Sequence, residues 1–157
     1  MAAKTVALDK PVPAFSLPAT GAGTWSLKDA AGSAVVLYFY PRDNTPGCTQ
    51  EGKDFAAAAT AFRKAGAVIL GVSADSLESH EKFKAKMQFP FELLADTEQK
   101  ACKLFDVIKE KSMYGKKFLG IERSTFLVDG KGVLRKEWRK VKVPGHVAEV
   151  LAAVKAL

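Results

Sequence analysis

Cys48 is the residue in this sequence best placed to do chemistry. It follows the loop Pro41–Gly47, and the pattern predicts that this loop joins a buried strand to a helix over Thr49–Ala65. The first turn of a helix has unpaired backbone N–H groups and the positive end of the helix dipole, which together stabilise an anion. Because the thiolate is the nucleophilic form of cysteine, and a free thiol with a pKa of about 8.5 is mostly protonated at pH 7, this position favours a reactive sulfur.

A structural role for Cys48 is the alternative, since a free cysteine often packs as a small apolar core residue. The loop rich in proline and glycine favours reactivity, because ligands of open sheets bind at the carboxyl ends of strands. The spacing excludes two other cysteine chemistries. A Cys-x-x-Cys redox motif would need a second cysteine at Glu51, and a phosphate-binding Cys-x5-Arg loop would need arginine at Asp54.

The two histidines are predicted to lie on the surface rather than beside the cysteine. His80 falls within a predicted helix over Asp75–Gln88, and His146 lies in the first turn of the last helix. Two histidines and two scattered cysteines form a poor set of metal ligands. We therefore expect no Cys/His protease pair, no metal and no other cofactor.

Alternating strand and helix patterns run through the chain. The predicted elements, in order, are a hairpin of Phe15–Thr20 and Thr24–Leu27 turning at Gly21-Ala22-Gly23, a strand over Ala34–Tyr40, the helix after Cys48, a strand over Ala67–Ser73, the helix over Asp75–Gln88, a strand over Phe91–Leu94, a third helix opening at Asp96–Gln99 with a capping-box pattern, a basic loop, a hairpin of Ser124–Val128 and Val133–Trp138, and a last helix from near Pro144 to about Ala156.

This order predicts an α/β fold of thioredoxin type. The two apolar strands Ala34–Tyr40 and Ala67–Ser73 are expected in the centre of a mixed sheet, buried on both sides. Helices should cover both faces of that sheet, and the first hairpin should be added to it at the N-terminal end. At 157 residues the chain is long enough for one domain over 1–157 and too short for two.

Composition narrows the class of protein further. The chain is 48% apolar and 26% charged, which is typical of globular domains and excludes disordered and fibrous classes. Its longest apolar runs are far shorter than the roughly 20 residues of a membrane-spanning helix. Residues 1–10 lack the apolar segment of a signal peptide, so we expect a cytoplasmic protein without membrane contact.

The net charge of +7 raises the question of nucleic-acid binding. Much of the excess lies in Lys109–Lys117 and Arg135–Lys142, where acidic, aromatic and aliphatic residues interrupt the basic ones. No helix-turn-helix, zinc-finger or RNP-like pattern accompanies this charge. We interpret it as a solvated basic face and expect no nucleic-acid partner.

Two motifs resemble those of a known family. Pro41-x-x-x-Thr45-x-x-Cys48 matches the peroxiredoxin active-site motif, and Thr45-Pro46-Gly47-Cys48-Thr49-x-Glu51 is similar to the PrxQ subgroup, also called bacterioferritin comigratory protein. Downstream, Met113–Lys117 and Gly120–Leu127 resemble the segment that carries the arginine of the family's active site. The resemblance therefore spans most of the chain, and the family's thioredoxin-like fold agrees with the predicted element order.

The resemblance implies a thiol-dependent peroxidase that reduces hydrogen peroxide and organic hydroperoxides. Cys48 would attack a peroxide oxygen and become a sulfenic acid. Thr45, three residues earlier, would direct its hydroxyl into the same pocket, with an ordinary helix cap as its alternative role. Arg123 would stabilise both the thiolate and the developing oxyanion with its fixed array of donors.

The remaining pocket residues implied by the resemblance are Pro41, Gly47 and Glu51. The ring of Pro41 offers no N–H group and would help exclude water, although it also simply ends the preceding strand. Glu51, in the first helical turn, suits the helix dipole and would bond to nearby backbone or to Arg123. We expect Glu51 to support the site rather than to react.

The route by which the sulfenic acid is resolved is where this sequence departs from its relatives. PrxQ-type enzymes often carry a resolving cysteine five residues after the first, or in the following helix. Here Lys53 occupies the first position, and Asp75–Gln88 contains no cysteine. Cys102 is the only internal candidate, and a small core residue is its favoured role.

We therefore predict a one-cysteine mechanism in which an external thiol reduces Cys48. The resemblance implies thioredoxin, glutaredoxin or a low-molecular-weight thiol as that reductant, and a monomeric enzyme. Two other functions remain open at this stage. One is a thioredoxin-fold binding or holdase protein without peroxidase turnover, and the other is a nucleic-acid-associated protein that uses the positive charge.

Overall fold

The computed structural model describes residues 5–21 and 23–157. Residues 1–4 and Ala22, the middle residue of the predicted first turn, lie outside the described residues. The described residues form nine strands and four α-helices, together with a short 3₁₀ helix at Leu27–Ala30: β1 (Ser16–Ala19), β2 (Gly23–Ser26), β3 (Ala34–Phe39), α1 (Pro46–Lys64), β4 (Ala67–Ser73), α2 (Leu77–Met87), β5 (Glu92–Ala95), α3 (Lys100–Leu104), β6 (Ile108–Met113), β7 (Lys116–Ile121), β8 (Ser124–Val128), β9 (Leu134–Trp138) and α4 (His146–Lys155).

Seven of the strands form one mixed sheet in the order β2-β1-β5-β4-β3-β8-β9. The central strands β3, β4 and β5 are parallel, whereas β8 pairs with β3 in the antiparallel direction. All six residues of β3 are buried, as expected for a strand covered on both faces. The carboxyl end of β3 leads directly into the loop that ends at α1, so the topology places Cys48 at the edge of the sheet where ligands bind.

The two faces of the sheet carry separate apolar clusters. Alternate residues of β3 point to opposite faces, so that Val35, Leu37 and Phe39 belong to one cluster and Val36 and Tyr38 to the other. The first cluster includes residues of α3 and β8, and the second includes residues of α1, α2 and α4. Helices therefore cover both faces of the mixed sheet, as the element order predicts.

The segment predicted as a basic loop is instead a two-stranded hairpin of β6 and β7. Its turn is at Tyr114-Gly115, and both residues have positive φ angles, of 53° and 76°. Two positive φ angles define the type I′ turn that suits the twist of a hairpin. The prediction of a loop was therefore wrong, because the lysines of this segment hid the strand pattern.

The third helix also differs from its prediction. It begins at Lys100 after Gln99, which has a left-handed φ of 57°, and no side-chain cap is formed there. The Asp96 carboxylate accepts a hydrogen bond from the backbone N–H of Cys102 at 2.8 Å. The predicted capping box at Asp96–Gln99 is therefore wrong, since Asp96 bonds further into the chain.

Within residues 5–21 and 23–157, we find no helix that combines the length and the apolar character needed to cross a membrane.

Candidate active site

Cys48 lies in the first turn of α1, buried with 2% of its surface exposed. Thr45 is the N-cap of this helix and Pro46 is its first residue, three positions before the predicted start. Proline suits this position because its missing N–H group would have no partner inside the helix. The sulfur therefore sits among the unpaired N–H groups at the positive end of a 19-residue helix.

Arg123 is the residue just before β8, and its side chain extends to the sulfur of Cys48. Its Nη2 donates a hydrogen bond to Cys48 Sγ at 3.3 Å, and its Nη1 donates to Glu51 Oε1 at 2.7 Å. The side chain of Arg123 is 16% exposed and that of Glu51 is fully buried. The structure thus brings Cys48 and Glu51 together around the guanidinium group of Arg123, which places a positive charge beside the sulfur.

Gly47 makes room for that guanidinium. A Cβ atom at this position would lie 3.0 Å from Nη2 of Arg123, closer than side chains normally approach. Gly47 therefore has a spatial reason to be glycine, and this reason is visible only once Arg123 is placed.

Glu51 and Arg123 form a buried pair in which burial and the partner's charge shift each pKa in opposite directions. Burial raises the pKa of the Glu51 carboxyl to about 7, outweighing the charge and the hydrogen bond of Arg123, which lower it. Burial lowers the pKa of Arg123, but the negative charges of Glu51 and Cys48 more than reverse this effect. Arg123 therefore keeps its charge, while the Glu51 carboxyl can gain a proton near neutral pH.

Thr45 and Pro41 lie in the loop before α1, and both are partly buried. The Thr45 hydroxyl donates a hydrogen bond to the carbonyl of Arg42 at 2.9 Å and makes no capping bond to the helix. This leaves its oxygen free to accept a hydrogen bond from a molecule bound beside the sulfur. The pocket roles of Thr45 and Pro41 stay predictions.

Cys102 lies on the other side of the sheet from Cys48. It is fully buried and belongs to the cluster that contains Phe39, whereas Cys48 belongs to the cluster that contains Tyr38. Burial raises the pKa of the Cys102 thiol well above its usual range, and the nearby Asp96 adds to this effect. The geometry therefore gives Cys102 the setting of an inert core residue.

The chain matches known proteins over most of its length. The model of the AhpC/TSA family matches residues 8–137. Peroxiredoxin Bcp of Xanthomonas campestris is 54% identical over 95% of this chain and 94% of its own length. Peroxiredoxin Bcp of Bacillus subtilis is 50% identical and covers 96% of both chains.

This chain belongs to the peroxiredoxin family.

A solved structure gives the same answer for the fold of this peroxiredoxin. Bacterioferritin comigratory protein of Xanthomonas campestris, captured as a trapped intermediate/ligand complex to explain its alkyl peroxide reduction activity, is 54% identical. It superposes with a TM-score of 0.86 over 90% of each chain. The expected thioredoxin-like fold and PrxQ-type resemblance are confirmed. The protein is a thiol-dependent peroxidase, with a peroxide as its substrate and a thiol as its reductant.

Sequence reasoning missed a second polar cluster next to the active-site loop of this peroxiredoxin. His80, expected on the surface, is fully buried and bonded to the buried carboxylate of Asp43. His146 was also expected on the surface but is 3% exposed, and it bonds to Thr125 at 2.8 Å. A usable signal for His80 was its spacing from Phe83, since residues three apart share one face of a helix. Nothing in the local sequence pointed to Asp43.

Proposed function

We propose that Cys48 is the peroxidatic cysteine and that Arg123 stabilises charge in its reaction. The observation that carries this proposal is the 3.3 Å hydrogen bond from Arg123 Nη2 to Cys48 Sγ at the start of α1. A guanidinium and a helix N-terminus both lie at this buried sulfur, where they stabilise negative charge. The substrate class is hydrogen peroxide and organic hydroperoxides, the latter supported by the alkyl peroxide activity of the Xanthomonas campestris relative.

The reaction forms a bond between sulfur and oxygen while the O–O bond of the peroxide breaks. The thiolate of Cys48 gives two electrons to one peroxide oxygen, and the other oxygen leaves as alkoxide or hydroxide and takes a proton. The sulfur is oxidised to sulfenic acid, and the products are an alcohol or water. Negative charge spreads over both oxygens in the transition state, where the guanidinium of Arg123 stabilises it.

The loop residues position the peroxide in this proposal. The Thr45 hydroxyl donates its hydrogen to the Arg42 carbonyl, so its oxygen accepts a hydrogen bond from the peroxide O–H. Pro41 closes the pocket with a ring that carries no N–H group. Gly47 leaves space for Arg123, and Glu51 holds the other arm of the guanidinium.

An external thiol returns the enzyme to its starting state. One thiol attacks the Cys48 sulfenic acid, giving a mixed disulfide and water, and a second thiol releases Cys48 and leaves as the disulfide of the reductant. We infer an external reductant because Cys102 lies on the opposite face of the sheet. Thioredoxin, glutaredoxin and low-molecular-weight thiols are the reductants we propose to test.

The setting we propose is a cytoplasmic monomer in which residues 1–157 act as one domain. Both cysteines are free and buried, as suits a compartment that keeps thiols reduced. The net charge of +7 disfavours close association of two copies through the same basic surface. Gel filtration with light scattering tests the monomer directly.

Replacing Cys48 by serine tests the assignment of the peroxidatic cysteine. We expect Cys48→Ser to abolish peroxide-dependent consumption of dithiothreitol, because a hydroxyl at this position cannot replace a thiolate nucleophile. The matched control is Cys102→Ser, the same change at a sulfur on the other face of the sheet, and it should keep the activity. Turnover that survives Cys48→Ser would overturn the proposal.

A further inference from the structure

A buried carboxylate in the active-site loop gathers three donors from neighbouring elements. Asp43 is 6% exposed, and its Oδ1 accepts a hydrogen bond from the Tyr40 hydroxyl at 2.6 Å. Its Oδ2 accepts one from the Ser79 hydroxyl at 2.7 Å and lies 2.8 Å from His80 Nδ1. Tyr40 follows β3, whereas Ser79 and His80 belong to α2. The carboxylate therefore ties the loop to two elements that the peroxidase chemistry does not otherwise use.

Both ring nitrogens of His80 face hydrogen-bond acceptors. Nδ1 faces the Asp43 carboxylate, and Nε2 lies 2.9 Å from the backbone carbonyl of Leu94, which can only accept a hydrogen bond. The fully buried imidazole is thus held between the Asp43 carboxylate, 2.8 Å away in salt-bridge geometry, and the chain at Leu94.

The charges of the neighbouring groups agree with an ionised Asp43. Burial alone raises the pKa of Asp43, but hydrogen bonds from His80 and Tyr40 and the charge of His80 lower it below its ordinary value. Burial raises the pKa of Tyr40 well above its ordinary value, so the Tyr40 hydroxyl keeps its hydrogen and donates it. Uncompensated, a buried carboxylate would be costly, and here it has three donors and an opposite charge.

The backbone of the loop is held at the same place. The N–H group of Asp43 donates to Asp75 Oδ2 at 2.9 Å, and the Ser73 hydroxyl donates to the same oxygen at 2.5 Å. The next residue, Asn44, has a left-handed φ of 65°, an uncommon conformation for a residue other than glycine. Side-chain and backbone bonds therefore fix a turn that ends at Thr45 and leads into the helix of Cys48.

We propose that Asp43 and His80 are positioning residues for the peroxidase reaction, a buried ion pair that fixes the loop so that Thr45 and the first turn of α1 face the peroxide. This inference rests on the proposed roles of Cys48 and Thr45. The pair touches neither the peroxide nor the sulfur and acts through the backbone between residues 43 and 48. Asp43, Asp75 and His80 also place ligand atoms within 4.8 Å of one another, but these atoms bond to the protein's own groups, which favours an ion pair over a metal site.

The test separates loop geometry from thiolate chemistry. In Asp43→Asn and His80→Gln we would measure the second-order rate of Cys48 oxidation by hydrogen peroxide and, separately, its alkylation by iodoacetamide. Alkylation needs a thiolate and access but no positioned Thr45. We expect the peroxide rate to fall about 10- to 100-fold, as small displacements of reacting groups do, with alkylation within about threefold of the parent. A peroxide rate unchanged in both variants would overturn the proposal.

The matched control is Lys84→Gln, which removes another contact between α2 and its neighbours. Lys84 Nζ binds Glu92 Oε1 at 2.6 Å and joins α2 to β5 without touching the loop. Its two rates should stay within about twofold of the parent. If Lys84→Gln slows the peroxide step as much as His80→Gln does, the ion pair has no special positioning role and the proposal is wrong. Ser79→Ala removes a single donor from Asp43 and provides a milder variant, with a smaller fall expected in the same direction.

A measurement on the parent protein does not depend on whether a variant folds. Proton NMR should show that the His80 ring N–H facing Asp43 is protected from exchange with water. A His80 ring N–H that exchanges freely, or stoichiometric binding of Zn²⁺ that perturbs the His80 signals, would overturn the pair. The proposed function fails separately, through peroxide activity in Cys48→Ser, so the two failures are distinguishable.

Discussion

One guanidinium serves two acidic partners in this active site. The two terminal nitrogens of Arg123 donate to different atoms, Cys48 Sγ at 3.3 Å and Glu51 Oε1 at 2.7 Å. The planar fork of arginine makes this division possible, because its donors point in fixed and separate directions. The bond to Glu51 holds the guanidinium beside the sulfur, which is the preorganisation that the proposed stabilisation of charge by Arg123 requires.

Arg123→Lys should keep the positive charge but lose the two separate donor groups that bond to Cys48 and Glu51. We expect Arg123→Lys to lower the second-order rate with hydrogen peroxide by about 10²- to 10³-fold, the usual cost of one lost charge-stabilising donor. Competition kinetics measures this rate. Arg135→Lys is the matched control, since Arg135 is half exposed and pairs only loosely with Asp9 and Asp129. A rate in Arg123→Lys equal to that of the parent would contradict the proposed role of Arg123 in the site.

Glu51 makes stability depend on pH in a known direction. Burial raises the pKa of the Glu51 carboxyl from an ordinary value of 4.5 to about 7, so the folded protein holds its proton more tightly than the unfolded chain. The contribution to stability is complete below pH 4.5 and is lost as the pH rises to about 7. The shift corresponds to about 3 kcal/mol of unfolding free energy.

Glu51→Gln should remove this dependence. The variant cannot ionise at position 51, so its unfolding free energy, measured in urea from pH 5 to pH 8, should rise relative to the parent as the pH increases. Glu78→Gln, at an exposed residue paired with Lys82, should run parallel to the parent. If the difference between Glu51→Gln and the parent does not change with pH, the burial of this carboxyl does not raise its pKa.

At the scale of elements, α1 approaches the end of α2 through a glycine. A Cβ atom on Gly52 would overlap the ring of Phe89. That ring stacks on Phe91 with centroids 5.1 Å apart and meets Phe83 edge-on at the same distance, so it has little room to move. The backbone of α1 at Gly52 therefore packs directly against the Phe89 ring, and this contact holds the first turns of α1, which carry Cys48 and Glu51.

Gly52→Ala should destabilise the protein although alanine favours helices. The gain in helix propensity is about 1 kcal/mol, and overpacking a filled core costs about 1–3 kcal/mol. We expect a lower Tm in Gly52→Ala, and at least partial recovery in the double variant with Phe89→Leu. Lys53→Ala, at the exposed neighbouring position, should change the Tm little. A raised Tm in Gly52→Ala would contradict the close contact.

The elements predicted well from sequence were those with one dominant pattern. The strands over Ala34–Phe39 and Ala67–Ser73 are apolar on both faces, and the motif around Cys48 marked the helix that follows. The hairpin of β6 and β7 was missed because it lies outside the main sheet and its strands are largely exposed, so no buried face imposes an apolar alternation.

The site divides in the same way. Motifs pointed to Cys48 and Arg123, which the structure brings together, and the pocket role of Thr45 stays a prediction. The contact between Gly47 and Arg123 and the Asp43–His80 pair instead join residues from distant parts of the chain. Such contacts are set by tertiary packing, and local spacing carries little trace of them. Burial of His80 and His146 follows from the same packing, which overrides the polar character that suggested a surface position.

At the scale of the whole molecule, the central sheet separates the two sulfurs. Side chains alternate along β3, so that Phe39 packs with the cluster of Cys102 and Tyr38 with the cluster of Cys48. A disulfide needs Cα atoms within about 7 Å and Cβ atoms that face each other. To join Cys48, Cys102 would have to leave a fully buried position, and the bond would have to pass around a seven-stranded sheet.

The predicted consequence is that peroxide oxidises one sulfur and forms no internal disulfide. After one equivalent of hydrogen peroxide, intact-mass spectrometry of the parent should show a gain of one oxygen, and dimedone should label Cys48. Loss of two hydrogens would instead indicate a Cys48–Cys102 disulfide. Cys102→Ser should give the same oxidised product and the same turnover with an external thiol, because the Cys102 thiol is buried and its pKa is raised. A disulfide that forms stoichiometrically within the monomer, together with lost turnover in Cys102→Ser, would contradict this prediction. It would show that the fold opens far enough for Cys102 to reach Cys48 from the opposite face of the sheet.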